Sequence, residues 1–569
     1  MKSLRLLCLS FLLTHVLSAQ NRYDVVIDEI MADPSPQIGL PNNEWIELKN
    51  TSASPVNLQG WRIGDSGGQS GAMPNFILAP DSFVIVCTAS AVAALSVFGN
   101  TISVTSFPSL DNDGESLVLK APTGQIIHAV TYSSSWYQNE LKKEGGWTLE
   151  MIDTQNPCTG SSNWKASNNT AGGTPGIINS INAINNDQSA PQLNNAYTTD
   201  NTTIVLVFDE PLDSLAAATV SNYSIDGGIS FISAEPLSPL LDQVQLKTNN
   251  LLAANTVYKI TAGNVTDCKG NVIGTNNKAR VGLAVDATAG DIIVNEILFN
   301  PRSGAYDYVE FYNKSNKIFD AAKLYIANRN SSAVISSITS ISTTPFYVFP
   351  GDYVVVTEDA DNLALNYLVQ KAESVVTLNS LPSFPDDAGF VLLLNQQGAV
   401  VDEVNYSDDW HFKLIDNAEG VSLERVDADG LSQEAANWYS AASTAGYGTP
   451  GYKNSQFKNL QAIAATIEVT PKVFSPDNDG FNDIATIQYK IDQPGYVANI
   501  TIFDAAGRPI RNLVRNGILS TSGYWNWDGL NDKGLKLPVG TYIIFTEIFN
   551  LQGKKNKFKN AVVLARNLN

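Results

Sequence analysis

A long internal repeat constrains this chain more than any other feature. Asp24-Val25-Val26-Ile27-Asp28-Glu29-Ile30 returns as Asp291-Ile292-Ile293-Val294-Asn295-Glu296-Ile297, and Asn163-Trp164 followed by Gly173-Thr174-Pro175-Gly176 returns as Asn437-Trp438 followed by Gly448-Thr449-Pro450-Gly451. The first motif recurs after 267 residues and the second after 274 to 275, so motif order survives with small insertions. A period this long predicts independently folded modules and not a solenoid of short units. At 569 residues the chain also exceeds what one core serves, which suggests about three to five domains. The repeat points to four, and function is sought module by module.

The first residues read as a secretory signal, 1–19. Lys2 and Arg5 supply the positive region, Leu6 to Leu17 the apolar region, and Ser18-Ala19 the small residues before cleavage. Cys8 lies in this stretch without the small-residue context of a lipidated cysteine, and no later run is apolar enough to be a transmembrane helix. The formal charge of −20 becomes −22 when Lys2 and Arg5 leave, which disfavours nucleic acid, since that affinity is built on cations neutralising phosphates. Three cysteines follow the signal. Thr357 stands opposite Cys87 and Ser432 opposite Cys158, so both are absent together from the second copy. Joint absence suits a Cys87–Cys158 disulfide in an oxidising compartment, with two buried thiols as the alternative and Cys268 left over either way.

Alternating runs such as Trp45-Ile46-Glu47-Leu48-Lys49, Thr203 to Phe208 and Val497 to Phe503, separated by Gly, Pro, Asn and Asp clusters, predict half-buried antiparallel strands. The fold class is all-β, a string of four β-sandwich domains. Short helices are expected at Ala89 to Phe98 and Asp359 to Val369, and linkers at Asn179 to Ser189, Asp286 to Gly290 and Lys453 to Ala465.

The two repeats, 21–180 and 290–455, resemble the lamin-tail domain, an immunoglobulin-like sandwich. The resemblance is carried by Val26 to Met31 with Asn43 to Asn50, by Val294 to Ile297 with Asp307 to Asn313, and by the Trp and Gly-Thr-Pro-Gly endings. Residues 189–285 resemble bacterial immunoglobulin-like domains through Val205 to Asp213, Asn222-Tyr223 and Asn264 to Asp267 with Gly270-Asn271. Residues 466–569 resemble the immunoglobulin-like domain of the flagellar hook-capping protein and the sorting domains of type IX export. That resemblance rests on Phe474 to Asp483, Ile502 to Arg508, Trp525 to Gly529 and Pro538 to Tyr542. It implies the type IX export machinery as a partner.

Glu29 with Glu47, and Glu296 with Glu310, have the spacing of carboxylate pairs that do acid–base work or hold a cation; the bland reading is that they accept hydrogen bonds at the sandwich edges. Asp477, Asp479 and Asp483 alternate around Gly480 as in a calcium loop, without the distal glutamate of a complete one. A plain Asp/Asn/Gly turn is the alternative, so calcium is a possible ligand and no other cofactor is implied. Asp111 to Glu115 and Phe384 to Gly389 read as hairpin turns. His128 and His411 form no cluster, and Asp402 stands opposite His128 in the second copy, so no catalytic residue is nominated. Trp136 and Trp410, at strand ends, are candidates for a ligand surface or for caps on the core.

These readings converge on a non-catalytic, modular protein, secreted or on the outer surface of a Gram-negative bacterium. Its expected role is adhesion, spacing or envelope binding toward an unknown extracellular partner. The alternative is an accessory or binding part of a secreted hydrolase system acting on carbohydrate or phosphodiester substrates.

Overall fold

The computed structural model describes residues 20–415, 417–458 and 465–566. The signal segment and Cys8 lie outside the described residues. The chain is all-β and forms two compact units, one up to Val281 without Leu252–Val257, the other from Gly282 onward with that segment.

In the first unit, a six-stranded sheet has the order Trp164–Ala166, Leu149–Met151, Val25–Met31, Trp45–Asn50, Phe83–Cys87, Thr101–Ser103. Opposite it lies a sheet of Arg62–Gly64, Ser116–Lys120 and Ile126–Thr131. The second unit repeats the arrangement with Trp438–Ser440, Leu423–Arg425, Ile292–Leu298, Tyr308–Asn313, Tyr353–Thr357 and Val375–Thr377, against a four-stranded sheet. In each copy the last strand pairs parallel to its neighbour. Parallel pairing requires a crossover, and the two expected helices provide it. Ala360–Asn366 makes nearly two turns because Asp359 caps it by accepting from the Asn362 N–H, whereas Val92–Leu95 has no side-chain cap and stops after one.

The first strand of each repeat, Val25–Met31 and Ile292–Leu298, is buried along its whole length. Both faces are covered. One side chain set enters the inter-sheet core with Ile46, Leu48, Leu117 and Trp164, or with Val309, Phe311, Val391 and Trp438. Full burial of each such aliphatic side chain contributes roughly 1.5–3 kcal/mol. The other face lies under the crossover helix and the Gly-Thr-Pro-Gly segment, hereafter the strap. In the first copy that outer layer holds Met31, Leu40, Trp45, Ile85, Cys87, Ala91 and Leu95.

Each unit carries a second, smaller sandwich. In the first, Leu193–Thr198, Thr203–Phe208, Gln243–Thr248 and Phe231–Pro236 face Tyr223–Ile225, Tyr258–Ala262 and Lys278–Val281. In the second, Thr466–Thr470, Ala485–Lys490 and Ser522–Trp527 face a five-stranded sheet built on the long strands Tyr496–Asp504, Gly540–Asn550 and Lys555–Leu564. Within each unit the two modules touch. Arg22 donates to the Pro239 carbonyl (2.9 Å) in the first unit. In the second, Phe412, Val497 and Ile518 form a shared apolar cluster, and Gln456 Nε2 donates to the Leu519 carbonyl (3.0 Å).

One expectation is corrected. Cys158 is bonded to Cys268, with Cα atoms 6.5 Å apart, and Cys87 is a buried free cysteine. Cys87 sits opposite Trp45 in the outer layer, where burial pushes its thiol up to about 11. Cys158 belongs to the loop that meets the second module, whose Lys269 also donates to the Gln155 carbonyl. The bridge therefore staples two modules together and is not internal to the repeat.

Candidate functional site

The most unusual chemistry in the molecule is a row of buried carboxyls, present twice. Glu29 is in register with Glu47 on one neighbouring strand and Glu150 on the other; Glu296 likewise stands between Glu310 and Glu424. All six are fully buried. A bulge at Asp28, and at Asn295 in the second copy, shifts the register and turns these glutamates toward the strap.

The strap supplies their donors. In the first copy the Thr174 N–H donates to Glu29 Oε1 (2.7 Å), the Gly176 N–H to Glu47 Oε2 (2.5 Å), and Thr174 Oγ1 to Glu150 Oε1 (2.8 Å). Thr148 Oγ1 adds a bond to Glu29 (2.6 Å), and Ser180 and the Ile181 N–H bind Glu150. In the second copy the Thr449 N–H, Tyr308 Oη and Ser422 Oγ all donate to Glu296 Oε1, and the Gly451 N–H donates to Glu310 Oε2 (2.6 Å). Ser455 Oγ and the Gln456 N–H donate to Glu424. Glycine is needed in the strap for approach and for conformation. A Cβ at Gly173 would lie 2.8 Å from Glu29 Oε1, and Gly176 and Gly451 have φ of +82° and +85°.

Burial without a counter-ion pushes five of these acids above the ordinary carboxylate range. Desolvation raises Glu29, Glu47, Glu296 and Glu310, and lifts Glu424 to about 8. Acids sealed at zero exposure and bonded to their own backbone cannot meet a substrate. The arrangement locks the end of each repeat onto its first strand. Glu150 and Glu424 escaped the sequence reading, although Leu149-Glu150-Met151 and Leu423-Glu424-Arg425 recur with the same 274-residue offset as the tryptophans.

His128 is also structural. It is fully buried, accepts from the Ile27 N–H through Nδ1 (2.9 Å), and is held neutral because burial lowers its pKa to about 3. Asp402 takes the same role in the second copy, accepting from the Val294 N–H (2.8 Å) and pairing with buried Arg425 (3.0 Å). His411, lowered to about 4 by burial, bonds Ser440.

Trp136 and Trp410 occupy equivalent half-buried positions against the core tryptophan of their repeat, Trp136 tilted against Trp164 and Trp410 stacked on Trp438, with ring centroids 6.2 Å apart in both. Trp136 in addition lines an open cleft of about 270 Å³ with Trp164 on one side and Asp209, Glu210 and Asp242 on the other.

Among the described residues, two groups of carboxylates bring oxygens within 4.8 Å of one another. Asp477, Asp479 and Asp483 form the first. Asp483 accepts from the N–H groups of Asp477 (3.1 Å), Asn478 (2.6 Å) and Gly480 (2.8 Å), and Asp479 from that of Phe481, so the turn closes on its own backbone. The second, Asp187, Glu210 and Asp267, lies beside Cys268 and is assembled from three distant segments, which no local spacing reveals. Burial and the two neighbouring aspartates push Glu210 up to about 8, while Asp267 accepts from Lys269 and Asn271.

No curated protein matches this sequence. Among solved structures, similarity is found to the S-layer protein rSbsC(31-844), at 11% identity and TM-score 0.16, covering 66% of this chain and 54% of that one. Dimeric latent PorU from Porphyromonas gingivalis is 8% identical with TM-score 0.15, covering 79% and 40%. PorZ, a surface component of the type IX secretion system of Porphyromonas gingivalis, is 10% identical with TM-score 0.16, covering 79% and 56%. The chain thus spans little more than half the length of these proteins, or less, and none of these likenesses bears on what it does. The domain families are decisive, and neither is a catalytic one: the chain carries two lamin tail domains, matched over 18–134 and 285–408, and a CHU_C type IX secretion signal domain over 467–564, which marks it for export to the cell surface or the medium.

Proposed function

We propose that this is a non-catalytic modular protein of the outer surface of a Gram-negative bacterium, serving adhesion, spacing or envelope binding, and carried there by the type IX machinery acting on the module from residue 466. The supporting observation is that the residues able to do chemistry in the lamin tail domains are consumed by their own fold. The glutamate rows bind the straps, and His128 is a neutral backbone acceptor. What remains for function is surface.

The test is fractionation and protease shaving of cells producing the full chain or a chain ending after Lys458. The cut belongs there because Ser455 and Gln456 bond Glu424 and must be kept. The full chain is expected outside the cell and the truncated one in the periplasm; equal placement would refute the export role.

The cleft beside Trp136 supports a saccharide of the envelope as ligand. It joins an aromatic face, suited to stacking on a sugar ring, to carboxylates that accept from hydroxyls. Trp136→Ala is expected to abolish binding on a glycan array at least tenfold below wild type, roughly 1.4 kcal/mol. A wild-type chain that binds no glycan removes this ligand class.

A further inference from the structure

The two glutamate rows differ in one respect that the repeat makes exact in sequence. In the second copy Asn295 Nδ2 donates to Glu310 Oε1 (2.7 Å), and Tyr308 Oη donates to Glu296 Oε1 (2.6 Å). In the first copy the positions of Asn295, Glu310 and Tyr308 are held by Asp28, Glu47 and Trp45, and the charge of Asp28 acts on Glu47. Two donors are lost and one further acid is gained. The consequence is visible in the buried atoms: Asp28 Oδ1, Glu29 Oε2 and Glu47 Oε1 have no hydrogen-bond partner, and neither does Trp45 Nε1, whereas no carboxylate oxygen of the second row is in this state. A buried, unpaired carboxylate oxygen is costly, and two such acids whose charges act on one another more so.

We propose that Asp28 and Glu47 share one proton, which does in the first lamin tail domain what the Asn295 amide does in the second, and that this proton latches the strap Gly173–Gly176 onto the first strand. The strap depends on the pair directly, because the Gly176 N–H bonds the other oxygen of Glu47 (2.5 Å).

The surrounding charges favour a retained proton. Glu29 lies on the same strand and Glu150 on Leu149–Met151, and both are acids. Lys49 on Trp45–Asn50 is the one cation acting on Asp28, and its Nζ is engaged by Thr154 Oγ1 (2.9 Å). Lys142 acts on Glu150. His128, on the strand beneath, is neutral. The crossover helix Val92–Leu95 and the strap bring no titratable side chain.

Burial lifts Asp28 from 3.8 to about 7. A carboxyl raised in the closed state binds its proton more tightly there than in the open state. The latch is therefore complete below the open-state value and is lost as pH rises through the closed-state value. Opening should increase about tenfold per pH unit between those limits and level off above them.

The experiment is peptide-resolved hydrogen exchange on the full chain between pH 4 and 8.5, comparing wild type with Asp28→Asn and Glu47→Gln at each pH so that intrinsic exchange chemistry cancels. Each substitution replaces the shared proton by an amide donor. In peptides covering 171–181 the wild type is expected to match the variants near pH 4 and to exchange at least a hundredfold faster near pH 8. Glu47→Gln gives the reading if Asp28→Asn does not fold. Equal strap exchange in wild type and variants across the range would overturn the proposal. So would opening of the wild-type strap by EDTA at pH 5, which would make the bridge a metal cation and not a proton.

Discussion

Replacing Cys268 by serine should release the second module of the first unit from the lamin tail domain and lower the temperature at which the pair comes apart. The bridge joins cysteines 110 positions apart, and closing a loop of that size is worth about 4–5 kcal/mol in the chain-entropy view. Other bonds across the seam run from Arg22 to the Pro239 and Leu240 carbonyls and from Lys269 to the Gln155 carbonyl. Calorimetry of the variant is expected to show an early, separate transition where the wild type unfolds jointly. Thiol counting in denaturant checks the pairing independently. The signal-free wild type should expose one reactive thiol, Cys87, and the variant two. Three thiols in the unreduced wild type would eliminate the bridge.

Glu296→Ala should be among the most damaging single substitutions in the second unit. Four groups are organised by this side chain: Tyr308 Oη, Ser422 Oγ, the Thr449 N–H and Thr449 Oγ1, all within 2.9 Å. Removing it leaves these donors buried without an acceptor, at roughly 1–3 kcal/mol each where solvent cannot enter. A loss of more than about 4 kcal/mol is expected, seen as a lower denaturation midpoint for the second unit with the first unit unchanged. Glu29→Ala should cost less, since Glu29 receives only Thr148 Oγ1 and the Thr174 N–H. If both alanine variants melt as wild type does, the glutamate rows are not what holds the straps.

The all-β class, the repeat and the crossover helices were legible because each is written locally or by recurrence: alternation for strands, a long offset for the duplicated domain, and Asp359 ahead of a helical run. The glutamate rows were half legible. Glu29 and Glu47 lie in the conspicuous opening strands, but Glu150 and Glu424 sit on three-residue strands whose pairing with the first strand is set by the tertiary fold. The disulfide was misassigned for a related reason. Comparing repeats detects partners inside the repeat, while the partner of Cys158 belongs to a module that is not duplicated. The Asp187–Glu210–Asp267 group was invisible on the same ground, being assembled only where three segments converge.

The strap also decides how a lamin tail domain would bear a mechanical load. Each lamin tail domain begins at its first strand, and its final residues are clamped to that same strand, with Asn179 Nδ2 donating to the Asp28 carbonyl and Asn454 Nδ2 to that of Asn295. A pull applied between the two ends therefore enters and leaves through neighbouring backbone. The load falls on the clamp, and the remaining strands of the sandwich are spared until it gives way.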